Sequence, residues 1–150
     1  MPTLALNKKA KFDYKIQEEI EAGIVLTGPE VKSTKASQIS LKGSYITIDH
    51  KSNAWLVGAH ISPYKPAKNS QINYSPTHDR ALLLTKKEID YLRGKEKEKG
   101  LTILPLSVYT KGGLIKVKIA LAVGKKKFDK RESIKKRDLD RQIRRTLNKR

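Results

Sequence analysis

The sequence predicts a mainly β protein with a few short helices, its strands closing into a small antiparallel barrel, followed by a basic C-terminal tail. Three observations carry that expectation. From Phe12 to Leu26 the even positions are Phe12, Tyr14, Ile16, Glu18, Ile20, Ala22, Ile24 and Leu26, while the odd ones are mostly polar. A period of two belongs to a strand and overrides the helix preference of the glutamates. Two further pairs of apolar runs flank turn-forming residues and read as hairpins. Last, the 27 residues from Gly124 hold thirteen Lys or Arg against four acids, a net of +9 out of the chain's +18. They carry too few apolar groups to offset backbone ordering and self-repulsion.

Taken in order, residues 1–9 read as a short arm ending in Asn7-Lys8-Lys9. In the long first strand Gly23 marks a bend or bulge, where the strand can curve to serve two sides of a closed sheet. Gly28-Pro29-Glu30 stops it, and Pro29 suits the first turn of a short helix reaching to about Ser37. Ser44–Ile48 and Ala54–Ile61 form a hairpin about the polar turn 49–53, with Trp55 and Phe12 at inward positions. Residues 62–80, with three prolines, make a loop longer than compact domains usually carry. Thr85-Lys86-Lys87-Glu88 is a capping box that starts a helix with Ile89 and Leu92 inward, ending near Gly100 and weakened by Gly94. Leu101–Tyr109 and Leu114–Val123 form the second hairpin about Lys111-Gly112-Gly113, with Lys116 and Lys118 facing away from Ile115, Val117 and Ile119. A long coiled strand, two hairpins and an intervening helix are the order of an OB barrel, a fold that binds single-stranded or structured RNA on one face. An SH3-like barrel is the alternative. The chain thus divides into an arm (1–9), a body (10–123) and a tail (124–150).

The charge calls for a polyanion, since even without the tail the arm and body together, residues 1–123, carry a net +9. In a helical tail Leu139, Ile143 and Leu147 fall on one side with Arg137, Arg141, Arg144 and Arg145 around the rest. That stripe is too thin, and too poor in Trp and Phe, for a membrane interface, which favours RNA. The tail is expected to be disordered when free and helical when bound, the plain alternative being a solvated tail that only aids solubility. There is no cysteine, hence no disulfide framework or thiolate metal site. Met1–Leu6 is too short for a signal peptide and no run is long enough to cross a bilayer, so a cytoplasmic protein, monomeric when free, is expected. His50, His60 and His78 show no ligand spacing, Glu18, Glu19 and Glu21 form no recognisable acid pair, and His78 beside Asp79 is an isolated dipeptide. A binding protein without cofactor or metal is the better reading than an enzyme.

Several segments together resemble the SsrA-binding protein family, SmpB: Asn7-Lys8-Lys9-Ala10, Glu21-Ala22-Gly23-Ile24-Val25-Leu26-Thr27-Gly28-Pro29-Glu30-Val31-Lys32-Ser33, His60-Ile61-Ser62-Pro63-Tyr64, Leu82-Leu83-Leu84, Gly100-Leu101-Thr102-Ile103, and Gly124-Lys125-Lys126 with Asp129-Lys130-Arg131. The resemblance runs through essentially the whole chain in order. It implies an OB-fold body that binds the tRNA-like domain of transfer-messenger RNA, and a tail that enters the decoding centre and vacant mRNA channel of a stalled ribosome during trans-translation. It also implies site residues: Asn7, Tyr14, Glu21 and Leu83 for the RNA face, Glu30, Lys32 and Ser33 in the motif beside it, and Arg80 as the surviving arginine of a basic pattern in which His78 and Ala81 replace cations. In the tail, Lys125, Lys126, Asp129, Lys130 and Arg131 match the ribosome-associated motif, and Phe128 stands where some members have His, so stacking on a base is expected there. A ribosomal or initiation-type OB protein on the small subunit, and an RNA-modifying enzyme without recognisable motifs, are the rival readings.

Overall fold

Residues 3–66, 73–98 and 100–124 are described in the computed structural model, and the alternating run is its central strand. The elements are β1 (Thr3–Leu6), α1 (Lys8–Asp13), β2 (Tyr14–Ile24), α2 (Gly28–Lys35), β3 (Ile39–Ser40), β4 (Tyr45–Ile48), β5 (Ala54–Val57), β6 (His60–Ile61), β7 (Arg80–Leu83), α3 (Lys86–Glu96), β8 (Leu101–Lys111) and β9 (Leu114–Gly124). Seven strands form one antiparallel sheet in the order β1-β8-β9-β2-β7-β5-β4, and β3 pairs with β6 apart from it.

The expected closed barrel is instead an open, curled sheet. Among the described residues no ladder joins the edge strands β1 and β4, although β4 comes up against β8. Strand length explains the gap: β2, β8 and β9 have eleven residues each, whereas β4, β5 and β7, which would have to complete the circuit, have four. Four residues span only about 13 Å. The inner face is filled by Leu41, Ile46, Leu56, Leu82, Ile103, Val117, Ile119 and Leu121, and α3 closes it with Leu92, which is fully buried. Each such side chain contributes about 1.5 to 3 kcal/mol by leaving water.

Within β2 the even-numbered apolar residues do not share one face. The register against β9 shifts between Ile16 and Glu18, so the strand changes parity there. Tyr14 and Ile16 pack with Ala10, Leu104, Leu106, Ala120 and Ala122 in a second, outer cluster, while Ile20 and Ala22 join the main core. The irregularity lies there and not at Gly23, whose role is different. Gly23 is where β2 adds a second neighbour, pairing with Lys116 of β9 and Leu83 of β7. A Cβ on it would stand 3.2 Å from the Leu83 Cβ, so glycine permits the close approach.

The first nine residues are tied to the body. β1 adds to β8, and Asn7 caps α1 by accepting from the Ala10 N–H while its side-chain amide donates to the Pro105 carbonyl at 2.9 Å. Phe12 lies in α1 and not in the strand. Ala54–Ile61 is split by Gly58 at φ 83°, leaving β6 to pair with β3. Trp55, expected inside, is half-buried on the side opposite Ala54 and Leu56, and its indole N–H donates to Asp49. Strand β7 was not foreseen; its Arg80 ends what reads in sequence as loop.

Candidate nucleic-acid interface

On the outer face near the tip of the β8–β9 hairpin the register sets Glu21 opposite Lys118, Gly23 opposite Lys116, and Tyr109 opposite Lys116 on the far side of β9. Strand alternation therefore presents Glu19, Glu21, Lys116, Lys118 and Tyr109 together, and Leu83 joins them across Gly23. The Tyr109 hydroxyl donates to Glu21 Oε2, Lys111 Nζ lies 3.4 Å from both Glu21 oxygens, and Lys118 pairs with Glu19 at 3.7 Å. The Tyr109 hydrogen bond, helped by Lys111 and Lys116, holds the Glu21 carboxyl below its ordinary range against the opposing effect of burial, which is second only to the Tyr109 bond. Burial, and then the Glu21 carboxylate, push the Tyr109 hydroxyl up to about 12. Glu21 is thus an exposed, ionised acceptor fixed by a buried tyrosine and surrounded by lysines. Leu83 is 61% exposed, an apolar group standing in water beside them. Tyr109, Lys111, Lys116 and Lys118 are absent from the residues singled out by sequence; the signal for them was the outward alternation of the second hairpin.

Behind this face lies a polar cluster that corrects two expectations. Arg80, expected to contact RNA as the surviving arginine of a basic pattern, and Glu30, expected in the motif beside the RNA face, are 1% and 2% exposed. All five Arg80 N–H groups are engaged: Nε with Glu30 Oε2 at 2.9 Å, Nη1 with the Ala59 and His78 carbonyls, and Nη2 with the Tyr74 hydroxyl and the Pro76 carbonyl. No donor is left for a phosphate. Glu30 Oε2 also meets the Tyr74 hydroxyl at 3.0 Å and His78 Nε2 at 2.8 Å, while Oε1 accepts from the Thr27 N–H. Burial alone would raise the Glu30 carboxyl, but the Thr27 N–H, Arg80 and His78 outweigh it and bring it from 4.5 to about 2. Thr27 and Glu30 complete a capping box at the start of α2, so one carboxylate both starts the helix and anchors it to β7. His78, which departs from the basic family pattern, serves this cluster.

The remaining expected residues are dispersed. Asn7 and Ser33 are buried, Asn7 as the α1 cap; Tyr14 is half-buried in the outer cluster. Lys32 is exposed, its ammonium 5.5 Å from the centre of the Tyr64 ring. The tail residues Lys125, Lys126, Phe128, Asp129, Lys130, Arg131, Arg137, Arg141, Arg144 and Arg145, and the expected conditional helix, lie outside the described residues. Among those described, no helix is long and apolar enough to cross a membrane, and no group of acidic and histidine side chains could hold a metal ion.

An antiparallel sheet that presents lysines, a carboxylate oriented by a buried tyrosine and an exposed leucine on a single face, in a chain of net charge +18, defines a protein of the RNA-binding class. Comparison makes this specific: the chain matches the SmpB protein family over residues 4–149, and it belongs to that family. It is 54% identical over 140 residues to the SsrA-binding protein of Sulfurihydrogenibium sp., covering 93% of this chain and 90% of that one. It is 48% identical over 150 residues to the SsrA-binding protein of Rubrobacter xylanophilus, covering 100% and 98%. Among solved structures it is similar to a chain described under "tmRNA-SmpB: a journey to the center of the bacterial ribosome", at 39% identity and a TM-score of 0.67, covering 86% of this chain and 92% of that one.

Proposed function

We propose that this chain binds the tRNA-like domain of transfer-messenger RNA through the face around Glu21 and brings it to stalled ribosomes for trans-translation, in which the ribosome is freed and the incomplete polypeptide is tagged for degradation. The observation that carries this reading is kinship with SsrA-binding proteins over nearly the full length, tail included. The physical arrangement agrees with it. Lys111, Lys116 and Lys118 supply phosphate contacts whose strength comes from counterion release, and Glu21 supplies an acceptor for an exocyclic amine. Among the residues first assigned to the RNA, Glu21, Leu83 and Lys32 make direct contact, whereas Asn7, Glu30, Ser33 and Arg80 support the surface from inside and Tyr14, half-buried, helps to hold β2 against the second cluster.

In this reading the body, an OB-like module over 10–123, holds the RNA, and the tail from 124 works in the small-subunit decoding centre and mRNA channel. It becomes helical there because phosphates neutralise its charges. The protein acts by binding, without catalysis or cofactor, as a monomer in the cytoplasm. Sequencing the RNA crosslinked to the protein in cells tests the proposal. One abundant tRNA-like RNA, far above ribosomal background, is the expected result. Ribosomal RNA of the small subunit alone would instead identify a constitutive ribosomal or initiation-type protein.

A further inference from the structure

An apolar cleft of about 220 Å³ opens beside the Glu21 face. Ile24, Leu26, Val31, Leu83 and Leu114 are among the residues that line it, together with Lys116 and with Gly23, which contributes no side chain. Leu114 is 63% exposed at the tip of the β8–β9 hairpin, and Leu83 is 61% exposed on β7. Two leucines so exposed on the same opening, in a chain with 32% charged residues, call for an occupant. The cleft is smaller than the roughly 300 to 1,000 Å³ sites that enclose whole small ligands, so it suits one flat fragment.

Its surroundings select the fragment. Lys116 in its lining, Lys111 opposite Leu114 in the hairpin, and Lys118 one outward position along β9 are cations that attract a phosphate backbone, and the Glu21 carboxylate, held in place by Tyr109, is an oriented acceptor opposite Lys118 on the same face. A ligand that is planar and apolar on its faces, carries amine donors on its edge and is attached to phosphates is a nucleobase. We infer that the Leu83–Leu114 cleft is a binding site for a single unstacked nucleobase of an RNA loop, clamped between the two leucines, with its edge toward Glu21 and its flanking phosphates on Lys111 and Lys116. The inference rests on the proposed binding of tRNA-like RNA and adds to it a specific subsite and a residue, Leu114, that sequence motifs do not mark. The start of the tail is not close by: Gly124 pairs with Tyr14, at the far end of β2 from Gly23.

The test uses full-length protein and the tRNA-like domain of transfer-messenger RNA, with affinity and base-modification footprints measured side by side for the parent, Leu114→Ala, Leu114→Phe and Glu21→Gln. Leu114→Ala should weaken binding about ten-fold, because the base loses the apolar cover of one leucine side chain. It should re-expose one unpaired base that the parent protects, and Leu114→Phe should keep that base protected. Deleting that base from the RNA should cost the Leu114→Ala protein little further affinity, because the two changes remove the same contact. Unchanged affinity for Leu114→Ala, or a loss without a re-exposed base, overturns the inference. So does weakened ribosome pelleting with intact RNA affinity, which would make the cleft a protein site. If Glu21→Gln weakens binding and Leu114→Ala does not, only the cleft is wrong. If neither changes the affinity of a protein that still binds the RNA, the whole face has been misplaced.

Discussion

Replacing Glu30 by Gln tests the interior of the candidate interface. Gln keeps the shape of Glu30 but removes its charge and sets an amide where the carboxylate now accepts from Arg80 Nε, His78 and Tyr74. Arg80, 1% exposed, then has no counter-ion and no route to water, because its other four N–H groups are held by Ala59, His78, Tyr74 and Pro76. Breaking a buried pair by removing one member costs about 3 to 5 kcal/mol, a large share of the 5 to 15 kcal/mol by which domains are stable. At about 4 °C per kcal/mol for a body of this size, the melting temperature should fall by roughly 12 to 20 °C. The pH dependence supplies an independent check with a definite sign. The Glu30 carboxyl sits at about 2 in the folded protein against an ordinary 4.5, so its contribution is fully present above about pH 4.5 and is lost as pH falls from there toward 2. The parent should therefore lose stability through that window more steeply than Glu30→Gln. Calorimetry between pH 3 and pH 7 measures both. A melting temperature within about 4 °C of the parent, with an unchanged acid limb, would refute the view that this pair anchors α2 to β7.

Tyr109→Phe removes only the hydroxyl that holds Glu21; the Glu21 carboxyl should move up toward 4.5, visible by NMR titration, and RNA affinity should fall by about 1 kcal/mol with little change in melting. Leu83→Asp should leave stability within about 0.5 kcal/mol, since the side chain is largely in water, while RNA affinity drops by about 1 to 3 kcal/mol; a large fall in melting temperature would show Leu83 to be structural. Ile143→Pro, costing about 3 kcal/mol in a helix interior, should abolish tagging in a trans-translation assay while leaving the body's RNA affinity nearly unchanged, and Lys130→Ala with Arg131→Ala should act at the same stage. Normal tagging by the proline variant would show that the tail does not work as a helix.

What the sequence reveals and what it conceals follow from the range of the interactions involved. The capping box at Thr85 and Glu88 is legible because it is contained in four residues, and the one at Thr27 and Glu30 carries the same local signature. The outward lysines of β9 are legible because alternation is a nearest-neighbour property. The parity change in β2 is not, since the even positions stay apolar through it; only the two different surfaces that β9 presents, small alanines near Gly124 and larger residues nearer the hairpin, put the strand's halves on opposite faces. Arg80 is the sharpest case. In sequence it is a cation in a basic protein and belongs on the polyanion face, yet its position is decided by Glu30, fifty residues away. Glu21 and Glu30 invert the same logic: nine residues apart in one motif, one carboxylate is sent outward by strand register and the other inward by a helix cap and an arginine. On the proposed function one short motif therefore mixes groups that touch RNA with groups that hold those in place. The division between them has to be read from burial and donor satisfaction: on the proposed function a side chain with every donor already engaged acts on the RNA only through the surface it supports, and Glu21, exposed with its carboxylate oriented by Tyr109 and Lys111, is the kind that acts directly.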